Sequence, residues 1–413
     1  MKYGCIGEKL SHSFSKEIHE AIGGYEYSLA ELKKDELSDF FKRREFSAIN
    51  VTIPYKESVF PLLDAIAPTA LEIGAVNTVV NENGRLIGYN TDIYGMEELI
   101  RNADLSPKGK KVLILGSGGT AKTARYVFKK MGASEIITAS RNPDKYAVSY
   151  TEVYKSHTDS EIIVNTTPVG MFPNSSGEPI DIGAFKKAYA VIDAIYNPEK
   201  TLLLQRAKEQ KIKAVGGLYM LVSQAIYASE LFGKTKYSSE LCNEIYEKIL
   251  QKKKSIVLIG MPSSGKSTVG KILSDKLSRP FFDTDSLIEK DSGSCIKSIF
   301  DSRGEDFFRE LEEKKIAEVS ALHGAVISVG GGAVLKQSNV RALRANSVLV
   351  YIKKPLSALF PTETRPLSAT PEALSKLYYE RLPIYESTAD CVIEANGCDE
   401  NTADLIIKKL SLQ

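Results

Sequence analysis

Two glycine-rich stretches that could hold phosphate groups lie far apart in this chain. Residues 116–122 read GSGGTAK, and residues 260–267 read GMPSSGKS. Each follows a short apolar run and opens a helical pattern, so backbone N–H groups and a helix N-terminus could cradle an anion. The first has the G-x-G-x-x-A spacing of dinucleotide binding, and the second has the G-x4-G-K-S spacing of nucleoside triphosphate binding. Since one active site rarely needs both, the sequence predicts two separate sites.

The second stretch has the more specific pattern. Its glycines would let the backbone turn N–H groups inward around phosphate oxygens. Lys266 could neutralise the β- and γ-phosphates, and Ser267 could ligate Mg²⁺. The N-K-x-D motif with which GTPases read guanine is absent from the sequence, which favours ATP. The residues predicted to bind the nucleotide are Gly260, Gly265, Lys266, Ser267 and Thr268.

Charged residues follow this stretch at spacings suited to a small anionic substrate. Asp283 and Asp285 end an apolar run, and at i, i+2 their side chains would point the same way on an extended strand. Arg309 and Glu312 share a helical face, where the carboxylate could hold the guanidinium in position for a planar anion. Taken singly, each arginine of this region is more often a solvated surface group. The set is completed by Gly330, Gly331, Gly332, Arg365 and Arg381.

In this order, the D-x-D, F-R-x-x-E and G-G-G motifs and the late arginines resemble shikimate kinase over residues 255–395. The resemblance implies that Asp285 contacts ring hydroxyls and is the candidate base, while Asp283 assists Mg²⁺. Only PTET (361–364) precedes the lid arginine, where the family lid is usually longer and more basic. The other implied roles are carboxylate binding by Arg309 and Arg381, substrate contacts at Gly331 and Gly332, and stabilisation of the transferring phosphoryl group by Arg365.

The first stretch predicts a Rossmann-type cofactor site. Its cofactor-binding residues would be Gly116, Gly118, Gly119 and Ala121. After the next predicted strand (135–140), the chain has Arg141 and Lys145 where NAD enzymes usually carry an acidic residue. Two cations suit a 2′-phosphate and favour NADP(H), although the same pattern also describes two ordinary surface cations.

Polar residues before and after this stretch are candidates for substrate binding. Ser13 and Ser15 lie at a strand-to-helix turn, where they could donate to an anion or simply cap the helix. Asn50 and Thr52 stand at alternate positions of a predicted strand, and Lys56 follows a proline turn. Further candidates are Asn77, Asp92, Tyr196, Gly217 and Gln224.

This ordered set closely resembles shikimate dehydrogenase over residues 3–235. The resemblance implies that Lys56 and Asp92 form the catalytic pair and that Ser13 and Ser15 bind the shikimate carboxylate. Ketone reduction needs hydride on one side and a proton donor at the oxygen, which Lys56 could supply. The resemblance assigns ring hydroxyls to Asn50, Thr52, Asn77, Asp92, Tyr196 and Gln224, and a place in the cofactor site to Gly217.

The elements that must hold these residues alternate between short apolar strands and helical patterns, which predicts α/β architecture with parallel sheets. A helix predicted over 237–250 is followed by QKKK and a fresh strand, so we expect a linker at 251–254. The expected parts are a substrate domain (1–104, with a returning helix at 220–250), a Rossmann domain (105–235) and a P-loop kinase domain (255–413) resembling nucleoside monophosphate kinases.

Bulk properties exclude several classes of protein. At 413 residues and a net charge of +2, the chain has no basic bias that would indicate nucleic acid as a partner. Its five scattered cysteines argue against disulfides or zinc and suit a cytoplasmic location. No apolar run approaches the length of a membrane span. The sequence makes no prediction about the oligomeric state.

Taken together, these features predict a bifunctional enzyme of chorismate and aromatic amino acid biosynthesis. The first half would reduce 3-dehydroshikimate to shikimate with NADPH, and the second would phosphorylate shikimate with ATP and Mg²⁺. Two alternatives remain open at this point. The kinase-like domain could be regulatory and non-catalytic because its lid is short, or the dehydrogenase could also accept quinate.

Overall fold

The computed structural model describes residues 1–10, 13–361 and 366–411. The chain divides into two compact units, Met1–Ile249 and Leu250–Gln413. Within the described residues the class is α/β with mainly parallel sheets, as the sequence predicts.

The first sheet of unit 1 has the strand order β2-β1-β3-β5-β6-β4. Strand β5 pairs antiparallel with both β3 and β6, and in this register Asn50 lies directly opposite Thr78. Its strands are β1 (Tyr3–Gly7), β2 (Ser28–Glu31), β3 (Ala48–Val51), β4 (Ala65–Ile66), β5 (Thr78–Glu82) and β6 (Arg85–Tyr89), accompanied by helices α1 (Ser15–Ile22), α2 (Leu37–Arg43) and α3 (Pro68–Ile73).

The second sheet of unit 1 is parallel, with the order β11-β10-β9-β7-β8. Its central strands are continuous apolar runs because helices cover both faces of a parallel sheet. The strands are β7 (Lys111–Leu115), β8 (Glu135–Ala139), β9 (Ile162–Asn165), β10 (Ala190–Asp193) and β11 (Lys213–Val215). The helices that follow the first sheet and accompany the second are α4 (Asp92–Asn102), α5 (Gly119–Lys130), α6 (Tyr150–Ser156), α7 (Leu202–Glu209), α8 (Leu218–Gly233) and α9 (Glu240–Lys253).

Helix α4 follows the first sheet and packs against α8, which returns from the second sheet. The close approach depends on Gly95, since a side chain there would lie 2.6 Å from the carbonyl oxygen of Met220. This packing brings the start of α4 and the middle of α8 to the same place.

Unit 2 is built on a parallel sheet with the order β13-β14-β12-β15-β16. Alternate residues of β12 face opposite layers: Ile256 packs towards α10 and α15, and Val257 packs towards α12, α13 and α14. These elements are β12 (Ser255–Ile259), β13 (Phe281–Asp283), β14 (Val326–Ser328), β15 (Ser347–Lys353), β16 (Cys391–Glu394), α10 (Lys266–Leu277), α11 (Thr284–Ser292), α12 (Ile296–Ser320), α13 (Gln337–Arg344), α14 (Pro371–Thr388) and α15 (Asp399–Lys409).

The junction between the units differs from the prediction. The expected linker at 251–254 is helical up to Lys253, because Gln and Lys are good helix formers and continue the exposed face of α9. The predicted returning helix at 220–250 is two helices, α8 and α9. Among the described residues, none of the helices is long and apolar enough to cross a membrane.

Candidate active sites

Lys56 and Asp92 form a close ion pair in unit 1. The Lys56 Nζ lies 2.6 Å from Asp92 Oδ2, and the two side chains are only 15% and 8% exposed. Asp92 opens α4, whereas Lys56 lies in the turn after β3. A mostly buried ammonium beside a fixed carboxylate is suited to proton donation.

The amide of Asn77 fixes the second oxygen of this carboxylate. Its Nδ2 donates to Asp92 Oδ1 at 2.9 Å, and its Oδ1 accepts from the Thr91 N–H at 2.6 Å. Gln224 of α8 joins this cluster through Thr91, whose hydroxyl donates to Gln224 Oε1 at 3.2 Å. The predicted residues Asn77, Asp92 and Gln224 therefore share one buried polar cluster.

Asn50 lies in the same network, one strand away. Its Nδ2 donates to the Thr78 hydroxyl at 3.0 Å, and its Oδ1 accepts from the Tyr27 phenol at 2.6 Å. Thr52, which follows β3, faces Gly7: a side chain at Gly7 would lie 2.6 Å from the Thr52 methyl group.

The predicted carboxylate anchors meet at the start of α1. The Ser13 hydroxyl accepts from the Ser15 N–H at 3.2 Å. It also hydrogen-bonds with Tyr196, where burial is the main cause that raises the pKa of the phenol to about 12. The Tyr196 ring packs on Phe14, with centroids 5.2 Å apart. The N-cap of α1 is Phe14, which makes no side-chain bond, so the Ser13 hydroxyl provides the side-chain acceptor for the first N–H of the helix.

The glycine loop of the second sheet lies next to Lys56. A side chain at Gly119 would lie 3.4 Å from the Cβ and Cδ of Lys56, while one at Gly118 would meet nothing within 4 Å. Gly116 has a φ of 109°, and Ala121 is buried against the core below. The open backbone at Gly118, at the N-terminus of α5, fits a dinucleotide pyrophosphate.

Arg141 and Lys145 are exposed residues after β8. The neighbouring Ser140 hydroxyl lies 3.3 Å from the hydroxyl of Ser117 in the glycine loop. This contact holds the Arg141 segment beside the cofactor loop, as a 2′-phosphate site requires. Lys145 lies over the Tyr146 ring at 4.8 Å.

Gly217 lets α8 begin against the end of β10, because a side chain there would collide with the Ala194 carbonyl. The same strand end holds Asp193, a fully buried carboxylate that accepts from the Ile195 N–H at 3.0 Å, the Asn165 amide at 3.0 Å and the Thr201 hydroxyl at 2.7 Å. Burial raises the pKa of Asp193 to about 7 despite these three donors.

In unit 2, the loop 260–267 wraps around the start of α10. Gly260 and Gly265 have φ values of 147° and 90°, and a side chain at Gly265 would lie 2.8 Å from an Asp399 oxygen. Lys266 Nζ donates to the carbonyl oxygens of Gly260 and Met261 at 3.0 and 2.8 Å. The ammonium is thus folded over the loop where phosphates would lie, and the exposed Thr268 follows in α10.

Ser267 and Asp283 fit the expected Mg²⁺ position. The Ser267 hydroxyl donates to Asp283 Oδ2 at 2.6 Å, so both oxygens already lie together beside the loop. Such oxygens are the ligands that Mg²⁺ prefers, with water and phosphate completing its shell. In the described ranges, no group of three or more His, Cys, Asp or Glu residues is arranged to hold a metal ion.

Asp285 is placed differently from the prediction. Asp283 ends β13, but Asp285 lies in the first turn of α11, so the two do not share an extended strand. The reason is that Asp283 caps α11 by accepting from the Ser286 N–H at 3.1 Å. Asp285 nevertheless faces the substrate side, since a side chain at Gly330 would lie 2.7 Å from its Oδ1.

Arg309 is held as the i, i+3 spacing predicts. Its Nη1 donates to Glu312 Oε2 at 2.7 Å, and Glu305 accepts from its Nη2 at 2.8 Å. Burial acts to lower the pKa of Arg309, but the carboxylate partners outweigh it and the pKa is raised. Burial raises the pKa of Glu312, an effect that Arg309 opposes. A side chain at Gly332 would collide with the Arg309 guanidinium, so this glycine makes room for it.

Arg381 of α14 is buried beside the glycine turn. A side chain at Gly331 would lie 3.3 Å from both Arg381 Nη1 and the Tyr385 hydroxyl, and that hydroxyl donates to the Gly331 carbonyl at 2.6 Å. Arg309 and Arg381 line one cavity of about 680 Å³, together with Lys266, Asp283, Asp285 and Glu312. Arg365 lies outside the described residues.

Several residues at these sites were not singled out from the sequence. Ser263 has a positive φ of 63°, and its hydroxyl donates to the Phe360 carbonyl at 2.8 Å, which ties the phosphate loop to the chain before residue 361. Strand alternation does not suggest Thr78, because Asn77 and Thr78 would face opposite sides of a regular strand. No sequence signal distinguishes Gly95 or Ser140.

Family models match both parts of the chain. The model for the shikimate dehydrogenase substrate binding domain matches residues 5–79, and the shikimate kinase model matches residues 262–411.

Individual proteins match unit 1 over nearly their whole length. The NADP(+) shikimate dehydrogenase of Clostridium perfringens (strain SM101 / Type A) is 36% identical over 266 residues, which is 60% of this chain and 97% of the relative. Shikimate dehydrogenase 1 from Peptoclostridium difficile matches with a TM-score of 0.57 and 35% identity, covering 60% of this chain and 97% of that one. A chorismate mutase/shikimate 5-dehydrogenase fusion from Clostridium acetobutylicum matches with a TM-score of 0.56 and 38% identity, covering 60% and 95%.

Proposed function

Because the chain belongs to the shikimate dehydrogenase family and continues into a shikimate kinase domain, we propose that its two sites catalyse consecutive reactions on one metabolite. The protein is a bifunctional shikimate-pathway enzyme, an NADP-dependent oxidoreductase fused to an ATP- and Mg²⁺-dependent phosphotransferase. In the proposed direction, 3-dehydroshikimate is reduced in unit 1, and the 3-hydroxyl of the resulting shikimate is phosphorylated in unit 2.

The observation that carries the assignment in unit 1 is the contact between Lys56 and the cofactor loop. Lys56 lies against Gly119 on one side and pairs with Asp92 on the other. Bound NADPH supplies the hydride. Lys56 donates a proton to the carbonyl oxygen, and Asp92 orients the ammonium and accepts from a ring hydroxyl. The remaining ring hydroxyls are bound by Asn50, Thr52, Asn77, Tyr196 and Gln224. The carboxylate is bound by Ser13 and Ser15.

In unit 2 the cavity brings together the groups that phosphoryl transfer requires. Arg309 and Arg381 bind the carboxylate, and Asp285 orients the attacking hydroxyl and accepts its proton. Lys266 binds the phosphates, and Ser267 and Asp283 hold Mg²⁺, which supplies charge neutralisation. Since the transition state gathers negative charge, positioning and cationic stabilisation account for most of the catalysis.

Incubation of the purified chain with 3-dehydroshikimate, NADPH, ATP and Mg²⁺ tests the proposal. We expect NADPH oxidation followed by shikimate 3-phosphate. Shikimate that accumulates without phosphorylation would refute catalysis in unit 2 and support a regulatory kinase-like domain. A higher kcat/KM for quinate than for shikimate would refute the substrate proposed for unit 1.

A further inference from the structure

Thr78 occupies the centre of a buried hydrogen-bond chain that ends at the Asp92 carboxylate. It is fully buried on β5, opposite Asn50 of β3. Asn50 Nδ2 donates to Thr78 Oγ1 at 3.0 Å, and Thr78 Oγ1 donates to Asn77 Oδ1 at 3.1 Å. Asn77 Nδ2 then donates to Asp92 Oδ1 at 2.9 Å. Three consecutive hydrogen bonds therefore connect Asn50 of β3 to Asp92 of the catalytic pair.

The direction of the chain at Asn77 follows from neighbours with a single hydrogen-bonding role. Its Oδ1 faces the main-chain N–H of Thr91, which can only donate, at 2.6 Å. Its Nδ2 faces the Asp92 carboxylate, which accepts. If the Asn77 amide were flipped, its NH2 group would face the Thr91 N–H, which is also a donor, and its oxygen would face the Asp92 carboxylate, which is also an acceptor. The observed orientation is therefore the favourable one.

The direction at Asn50 is fixed in the same way. Its Nδ2 lies 3.4 Å from the Asn77 main-chain carbonyl, which can only accept. Its Oδ1 therefore faces Tyr27, whose phenol donates at 2.6 Å. Burial holds the pKa of Tyr27 well above its usual value, so the phenol keeps its proton.

A threonine hydroxyl between these two amides has one hydrogen to donate. Because Asn50 donates to Thr78, the Thr78 hydrogen is available to Asn77, or to the Thr91 hydroxyl at 3.1 Å. Either acceptor belongs to the same group of hydrogen bonds, because Asn77 and Thr91 are bonded to each other. Donation thus runs in one direction, from Tyr27 through Asn50 and Thr78 towards Asp92.

We infer that Thr78 is a positioning residue for the reduction, because its hydroxyl joins the Asn50 and Asn77 amides and thereby supports the carboxylate that faces Lys56. This inference rests on the proposed roles of Lys56 and Asp92. Without the hydroxyl, Asn50 Nδ2 keeps only the longer contact of 3.4 Å with the Asn77 carbonyl, and Asn77 Oδ1 loses one of its donors. The Asn77 amide would then be held less tightly, and so would the Asp92 carboxylate to which it donates.

The test compares Thr78→Val, which keeps the shape and removes the hydroxyl, with Thr78→Ser, which keeps the hydroxyl. We expect Thr78→Val to lower kcat for shikimate oxidation roughly tenfold, as the loss of about 1.4 kcal/mol implies. Thr78→Ser should stay within about twofold of the parent. The Kd of NADPH, measured by fluorescence, should be unchanged in both variants and so report that unit 1 is folded.

A double-mutant cycle separates positioning from simple support of the fold. If the hydrogen-bond chain acts as a unit, the decreases in kcat caused by Thr78→Val and Asn50→Ala are not additive. Additive losses, or a Thr78→Val variant with a lower Tm but a normal kcat, would overturn the inference. A fully active Lys56→Ala variant would instead overturn the proposed function itself.

Discussion

The two proposed sites would bind the same small carboxylic acid with different electrostatics, neutral in unit 1 and cationic in unit 2. In unit 1 the proposed carboxylate anchors are the neutral hydroxyls of Ser13 and Ser15, and Lys56 is paired with Asp92. In unit 2 the anchors are the guanidinium groups of Arg309 and Arg381. The difference follows from the chemistry. Ketone reduction moves one hydride and one proton and needs one acid–base pair, whereas phosphoryl transfer concentrates negative charge and needs cations.

The sites also differ in how the fold assembles them. In unit 1, residues of the first sheet meet a loop of the second sheet, and the meeting depends on the packing of α4 against α8 at Gly95. In unit 2, the phosphate loop, Asp283 and the glycine turn all follow the carboxyl ends of neighbouring parallel strands. These three parts of the unit 2 site depend on one sheet edge, whereas the unit 1 site depends on the packing of two sheets.

The sharpest test of this separation is a pair of alanine variants. Lys266→Ala should lower phosphotransfer by about 100-fold or more, since it removes a preorganised cation at the phosphates. Lys56→Ala should do the same to the reduction. Each variant should retain the other activity at the parent rate, measured by NADPH oxidation and by shikimate 3-phosphate formation. If either variant lost both activities, the two sites would not be independent.

The cationic anchor of unit 2 is tested by Arg381→Ala. Truncating one buried partner of a charged contact costs about 2–5 kcal/mol, so KM for shikimate in the kinase reaction should rise at least about 30-fold. The exposed Arg303 of α12 offers a matched control, because Arg303→Ala removes the same charge outside the cavity. Equal effects of both variants would mean that overall charge, and not the Arg381 contact, governs binding.

Local spacing was enough to predict the features that depend on neighbouring residues. The i, i+3 contact of Arg309 with Glu312 and the two strand–loop–helix turns all follow from helix and strand periodicity. The spacing of Asp283 and Asp285 predicts a shared direction only on an extended strand, and this condition is not met because the capping bond at Asp283 starts α11.

Features that depend on tertiary packing cannot be predicted from local sequence patterns. The hydroxyl of Thr78 matters only because β3 and β5 are paired in the register that places it opposite Asn50. Gly95 matters only because α8 returns across α4. By contrast, the helical continuation of α9 through 251–253 follows from the local helix propensity of Gln and Lys, which a boundary placed at a charged tetrapeptide overlooks.

For unit 1, we expect a more moderate effect from substitutions that change the preference for NADPH over NADH. The expected contact of Arg141 with the 2′-phosphate would be charge-assisted and worth about 1.5–3 kcal/mol, so we expect Arg141→Ala to raise KM for NADPH roughly ten- to hundredfold. KM for NADH should stay unchanged, because NADH lacks that phosphate. Lys145→Ala should show a smaller loss with the same selectivity. Equal losses with both cofactors would contradict the assignment.

Asp193 gives unit 1 a pH dependence of stability that Asp193→Asn should remove. Burial raises its pKa to about 7, from an ordinary value of 3.8. Between these values the folded state keeps a proton that the unfolded state releases, so stability falls as pH rises from about 4 to about 7 and then levels off. The slope contributed by one group reaches about 1.4 kcal/mol per pH unit. The measurement is Tm against pH for the parent and Asp193→Asn, with Asp104→Asn as an exposed control; parallel curves for all three would exclude this origin.

The smallest expected effect concerns transfer of shikimate between the sites. Each site has its own phosphate loop, carboxylate anchors and acid–base group, and neither motif set borrows residues from the other. We therefore expect Lys56→Ala and Asp285→Ala chains, each blocked at one step, to complement each other when mixed. Shikimate released by the second should be phosphorylated by the first, after a lag in which free shikimate accumulates to its KM. The steady rate of shikimate 3-phosphate formation should then approach that of the parent chain. A persistent deficit of tenfold or more at saturating enzyme, with both single activities normal, would show that shikimate passes between the sites of one molecule.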